Sequence, residues 1–371
     1  MKAVPMARIL MLYAFFLPLL YPAAEALFSI LLGVTLVAVI LGRVRRTLTA
    51  FETLIAVFIL WRAVTILLSP FPIPLQAFEK ICAPLAVLAL SRWMDRAENV
   101  SGFFAGFFAG TAVAALIGLV EYGLGPEERI SSLNSGYITM AFCCTLVVLA
   151  GLILMLGGRF RAGLAVLIIP ALGLCFTFAR TFWGIASIGV FLLALRFKKW
   201  LILLPPVAVL LGLLLLPDLF YKRIHDLTDP HSKSFDSERF MLWRMAPNFI
   251  AERPLSGWGP ESFNRLLPDP VKKDWRDPNI SGWHNDFIQV TVESGLPALA
   301  LWLAIVGWAL SRVWPVLRRG VLTDEAARLQ MTAALGVVIF LLGCLANGLL
   351  SNMMTALCFF SFLPVLKGLS E

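Results

Sequence analysis

Three side chains in this sequence invite a chemical explanation: His284, Arg180 and Arg239. His284 is one of three histidines, and it stands in SGWHNDFIQV, where a polar segment turns back into apolar sequence. Imidazole, with an ordinary pKa of about 6.5, takes up a proton near neutral pH and so suits a general base. Asn285 or Asp286, directly after it, could orient the ring. The plainer reading is an interfacial histidine packed near Trp283 and bonded to water or backbone. Arg180 lies in CFTFARTFWG at the end of an apolar run, and Arg239 and Arg244 lie in SERFMLWRM. Arginine presents a planar fork of donors that matches phosphate oxygens. The plainer readings are a snorkelling side chain for Arg180 and a solvated helix face for Arg239 and Arg244.

Other chemistries have little to stand on. The chain has no DxD, HExxH or CxxC, and Gly257 and Gly259 are not followed by the GK[ST] of a phosphate-binding loop. His225 and His231 are close together, with Asp229 near His231, which makes a weak candidate for a metal site. The six cysteines all fall in apolar runs without metal-ligand spacing, as buried small hydrophobes do. The expectation is a site with no metal and no cofactor.

The elements that must hold these residues are membrane helices. Hydrophobic residues make up 59% of the chain and charged ones 15%, well below the quarter or so usual in soluble domains. The apolar runs predict an all-α polytopic membrane protein of about twelve spans, each near the length that crosses about 30 Å of hydrocarbon. They fall near 7–22, 25–42, 51–69, 74–91, 101–122, 136–157, 162–179, 182–196, 200–216, 284–311, 330–348 and 351–366. Lys2, Arg8 and the first apolar run also fit a signal peptide, but the next run starts at once, which favours a retained first helix.

The net charge of +8 reads as topology, not as affinity for nucleic acid. Basic clusters alternate with nearly uncharged turns: Lys2 and Arg8; Arg43, Arg45 and Arg46; Arg92 and Arg96; Arg159 and Arg161; Arg196, Lys198 and Lys199; Arg312, Arg318, Arg319 and Arg328; and Lys367. By the positive-inside rule these face the cytoplasm. The chain then divides into an N-terminal bundle over 1–216, one long outer loop over 217–283 and C-terminal helices over 284–371. The loop is rich in charge of both signs and holds four tryptophans, so it is expected to be structured. Within it DSERFMLWRMAPNFIAERP predicts an amphipathic helix, capped by Asp236 or Ser237 and stopped by Pro254. Arg239 and Trp243 share one face of that helix. Gly257 and Gly259 predict a tight turn, and Pro260 the start of a short helix. Arg62 is an intramembrane charge and so a functional candidate, while Glu79 and Lys80 can neutralise each other.

FARTFWG, SERFMLW, PLSGWGPESF and HNDFIQVTVESGLPAL together resemble the O-antigen ligase and polymerase superfamily of bacterial inner membranes, over roughly residues 170–311. The resemblance implies a metal-independent, inverting glycosyltransferase of the inner membrane with its site on the periplasmic face. Its donor would be an undecaprenyl-diphosphate-linked saccharide, and in the ligases its acceptor is a sugar hydroxyl of lipid A–core. It implies His284 as the essential histidine and Arg180 and Arg239 as the diphosphate ligands, with Arg244 close enough in sequence to be confused with Arg239. Asn285, Asp286 and Trp243 would support them. A polymerase or an O-linked protein oligosaccharyltransferase has the same signature; the absence of an added soluble domain favours the ligase. A lipid-linked glycan transporter or flippase is the reading from another class, and it would be expected to show internal repeats and midplane charges.

Overall fold

The computed structural model describes residues 6–72, 75–125, 129–131, 133, 136–208, 237–273, 280–319, 322 and 324–368. His225, Asp229, His231 and Asp236, and with them the weak metal site and one of the two proposed caps, lie outside the described residues. All regular structure among the described residues is helical. That is what hydrocarbon demands, since a helix satisfies its backbone polar groups within one segment.

The chain runs through α1 (Met6–Phe16), α2 (Tyr21–Ile40), α3 (Ala50–Leu67), α4 (Leu75–Cys82) and α5 (Leu85–Leu90). It continues through α6 (Ala97–Leu124), α7 (Gly136–Leu156), α8 (Phe160–Phe176), α9 (Arg180–Arg196) and a 3₁₀ segment at Lys199–Leu203. Then come α10 (Ser237–Glu252), α11 (Phe263–Leu266), α12 (Asp269–Lys272), α13 (Asp286–Arg318), α14 (Glu325–Cys344) and α15 (Met353–Gly368). Six of these are long and apolar enough to cross a membrane: α2, α3, α6, α7, α13 and α14. The runs expected near 7–22, 162–179 and 351–366, and the described part of the one near 200–216, form shorter apolar helices.

The run near 74–91 departs from the single expected span. It is two helices, α4 and α5, separated at Ala83 and Pro84. Proline has no N–H to continue the ladder and its ring crowds the carbonyl four residues back, so the helix breaks there. The break leaves α4 as a short helix that brings Glu79 and Lys80 to the wall of a cleft.

One contact in the bundle depends on the absence of side chains. In α6 the run GFFAGFFAG puts Gly106 and Gly110 one turn apart against α1, as small residues do where membrane helices approach closely. A Cβ on Gly106 would lie 2.0 Å from the carbonyl oxygen of Met11, and one on Gly110 2.0 Å from that of Phe15. Gly106→Ala should therefore push α1 off α6 and lower stability by on the order of 3 kcal/mol, the upper range for an overpacked contact. Gly123→Ala, which meets nothing within 4 Å, should be neutral or slightly stabilising. Thermal unfolding of the two variants in detergent checks this.

At the start of α3 Glu52 is fully buried. It closes a capping box with Thr49 at the start of α3, pairs with Arg45 and Arg92 at 2.7 Å each, and accepts from Ser91. Two arginines read from the sequence as cytoplasmic charges are thus also the partners of one buried carboxylate.

The expected amphipathic helix of the 217–283 segment is α10, and its described part folds onto α13 with a small core of its own. Leu242 and Ala246 of α10 meet Phe263, Leu267, Ile280, Trp283 and Val292 there. Gly257 and Gly259 make the expected turn, with φ of 62° and 92°. Pro260 opens a turn and not a helix: α11 begins three residues later, after Glu261 at φ 61°.

Candidate active site

The turn after α10 wedges into α13. Gly295 interrupts α13 at φ 75°, and a Cβ on it would meet the carbonyl oxygen of Leu255 at 2.1 Å. The backbone carbonyl and N–H groups of α13 freed by the kink find partners across the joint. Trp258 N donates to Val292 O at 2.9 Å, Gly259 N to Glu293 O at 2.8 Å, and Leu296 N to Pro254 O at 2.8 Å. PLSGWGPE and the first turns of α13 therefore form one rigid corner, and the polar segment before α13 is fixed against it.

His284 stands on that segment, between two anchors. Trp283 is fully buried, with its ring edge-on to those of Phe249 and Phe263 at centroid distances of 5.7 and 5.4 Å. Its carbonyl accepts from Trp243 Nε1 of α10 at 2.9 Å. On the other side Asn285 caps α13, its Oδ1 accepting from the N–H groups of Phe287 and Ile288, while its Nδ2 donates to Leu345 O at 3.1 Å. Asp286, fully buried, accepts from the N–H of Leu350 at 3.0 Å. Asn285 and Asp286 thus tie the start of α13 to the connection between α14 and α15, a backbone duty that the sequence did not reveal. Trp243 likewise supports the His284 segment.

Between these walls opens a cleft of about 580 Å³. His284 and Arg239 both line it, with Gln289, Glu261 and Asn264 on the α10–α13 side. Asn347, Ser351 and Asn352 contribute from the α14–α15 connection, Glu79 and Lys80 from α4, and Tyr21 and Tyr137 from α2 and α7. Arg239 donates from Nη1 to Ala346 O at 2.9 Å, which seats its guanidinium on the rim formed by that connection. Arg244, one and a half turns along, is exposed and does not line the cleft. The geometry thus separates two arginines that the sequence left interchangeable.

Arg180 is the first residue of α9, half-buried, and does not line the cleft. It stands at the same end of the bundle, two residues before Phe182, whose ring packs against Gly343 near the end of α14. Lys80 pairs with Glu261 at 2.6 Å, across 181 residues, and not with its neighbour Glu79. Arg62 meets Glu293 at 2.8 Å in a buried ion pair behind the cleft.

Among the described residues, three that are not glycine adopt a left-handed backbone: Phe178 at φ 49°, Glu261 at φ 61° and His284 at φ 50°. Such conformations cost energy and persist where the surroundings over-determine them, commonly at functional sites. Two of the three line the cleft, and the third lies two residues before Arg180. No sequence pattern announced this.

The fold and the cleft define an all-helical membrane protein with a polar site at one end of its bundle, lined by cationic, acidic, amide and hydroxyl side chains. Residues 163–303 match the family model described as O-antigen ligase, so the resemblance read from the motifs is borne out over nearly the stretch that suggested it. The chain is also similar to a Rickettsia typhi protein provisionally named as a polysaccharide ligase. The two are 25% identical over 266 residues, covering 67% of this chain and 65% of the relative, so the chain spans about two thirds of that relative's length. The family match takes in α9, α10 and His284 and leaves α1 to α7 outside it.

Proposed function

We propose that this protein transfers a saccharide from an undecaprenyl-diphosphate carrier to a sugar hydroxyl on lipid A–core, at the periplasmic face of the bacterial inner membrane. The distribution of basic clusters in the sequence supports that orientation, with the arginine-rich turns inside and the cleft on the opposite face. The observation that carries the reading is the meeting of His284 and Arg239 in one polar cleft, on a strained and heavily braced backbone.

The chemistry asks little beyond charge and a base. The acceptor oxygen attacks the anomeric carbon from the face opposite the leaving group, and the bond from that carbon to the diphosphate oxygen breaks. The diphosphate departs with the electron pair, and His284 takes the hydroxyl proton. Arg239 stabilises the charge developing on the diphosphate, in a site where preorganised donors count for more than in water. Arg180 stands at the same end of the bundle outside the cleft lining, where it would meet a donor that extends toward α9. The amide and hydroxyl groups of Asn264, Asn347, Ser351 and Asn352 suit the hydroxyls of a glycan.

The direct test incubates purified protein with a lipid-diphosphate glycan and lipid A–core and follows the acceptor by mass spectrometry. A mass increase equal to the glycan, without ATP, supports transfer; movement of the donor across liposomes with no product supports a transporter instead. The same assay in EDTA should retain nearly full activity, because arginines hold the diphosphate. Loss of activity that Mg²⁺ or Mn²⁺ restores would shift the role to carboxylates such as Glu79 or Glu261. Orientation has its own check: a cysteine introduced between 237 and 273 should react with an impermeant thiol reagent from outside, and one beside Arg318 should not.

A further inference from the structure

Behind the cleft, one carboxylate joins the two strained residues that line it. Glu293 is 2% exposed. Its Oε2 accepts from Arg62 Nη2 at 2.8 Å, and its Oε1 accepts from Gln289 Nε2 at 2.6 Å and from the backbone N–H of Glu261 at 3.0 Å. Gln289 turns its own Oε1 to the backbone N–H of Trp283 at 3.2 Å, one residue before His284. Glu293 therefore grips left-handed Glu261 directly and the approach to left-handed His284 through Gln289. Neither Glu293 nor Arg62 lines the cleft.

The brace comes from α3, far from the site in sequence. Arg62 supplies the buried positive charge; one residue earlier Trp61 Nε1 donates to Ser294 O at 2.9 Å, and one turn on Thr65 Oγ1 meets Ser294 Oγ at 3.1 Å. A buried carboxylate is tolerated where a counter-charge and hydrogen bonds satisfy it, and here both oxygens are engaged. All three α3 residues lie outside the stretch matched by the ligase family model.

We propose that Glu293, with Gln289 as its link and Arg62 as its counter-charge, is a positioning residue that holds His284 and Glu261 in their left-handed conformations. The inference rests on the reading of His284 as the base. In this role the acceptor oxygen of residue 293 matters more than its charge, because the two donors from the cleft side are an amide and a backbone N–H.

Two double variants isolate that oxygen. R62M/E293Q and R62M/E293L both remove the buried charge pair, but only the first keeps an acceptor for Glu261 N and Gln289 Nε2. With purified protein, R62M/E293Q is expected to exceed R62M/E293L at least tenfold in kcat at equal donor Kd. Equal kcat in the two, or a difference confined to donor Kd, overturns the proposal. With only three histidines in the chain, ¹⁵N-histidine labelling gives a second readout, the His284 signal being the one absent from His284→Ala. That signal should move in R62M/E293L and in Gln289→Met, which cuts the link from Glu293 to Trp283 and leaves the Arg62–Glu293 charges in place. An unmoved signal in folded Gln289→Met overturns the proposal even if the doubles do not fold. Should His284→Ala itself stay active, the base reading fails, and the labelled signal alone still decides the positioning role.

Discussion

His284→Ala is expected to bind the lipid-diphosphate donor within about threefold of wild type and to turn over about two to four orders of magnitude more slowly, the range lost with a positioned base. The asymmetry follows from where the proposed interaction acts. The imidazole meets the acceptor hydroxyl and gains strength only as that oxygen bonds to the anomeric carbon, so the bound donor does not sense its loss. His284→Gln tests the plainer reading, since it keeps hydrogen-bonding capacity without a base. If His284 is only an interfacial side chain, both variants keep near wild-type turnover. The backbone adds a condition to the experiment. His284 is left-handed at φ 50°, so a changed side chain also changes local strain, and donor affinity must be measured beside rate on folded protein. Loss of both together would point to collapse of the segment and not to loss of a base.

Arg239→Ala should lower kcat/KM for transfer by about 100- to 1000-fold, the cost of removing one preorganised donor from a developing anion. Donor affinity and turnover should fall together, because the diphosphate carries charge both before and during transfer. Arg239→Lys should recover part of the loss, as a point charge lacks the fork. Arg244→Ala is the internal control: exposed and away from the cleft, it should change kcat/KM by less than about twofold, as surface substitutions usually do. A reversed pattern would move the diphosphate to the other face of α10. Arg180→Ala asks a separate question, since Arg180 lies at the same end of the bundle but outside the lining of the cleft. A loss as large as that of Arg239→Ala means that the donor extends from the cleft toward α9.

Much of this molecule was legible because a bilayer simplifies the problem. Apolar runs had to become helices, whatever their neighbours, since no other structure satisfies a lone backbone segment in hydrocarbon. The amphipathic α10, the turn at Gly257 and Gly259, and the approach of His284 to an apolar helix could all be read from local pattern for the same reason. Each depends on contacts within a few residues. Even the break at Pro84 was available in principle, though the length of the apolar run masked it.

What the sequence could not decide was every pairing that spans the chain. Lys80 has Glu79 beside it, yet it bonds Glu261. Arg62 looked like a solitary intramembrane charge until α3 packed on α13 and gave it Glu293. Asn285 and Asp286 looked like partners for an imidazole, and the contacts they make are the stitches that hold α13 to the α14–α15 connection. Which of Arg239 and Arg244 lines the cleft turned on which face of α10 meets Ala346 O, more than a hundred residues away. Local pattern fixes a helix because its hydrogen bonds close within four residues. Charge partners and left-handed strain at Glu261 and His284 arise only when elements from both ends of the chain are packed against one another, and that packing is a property of the whole fold.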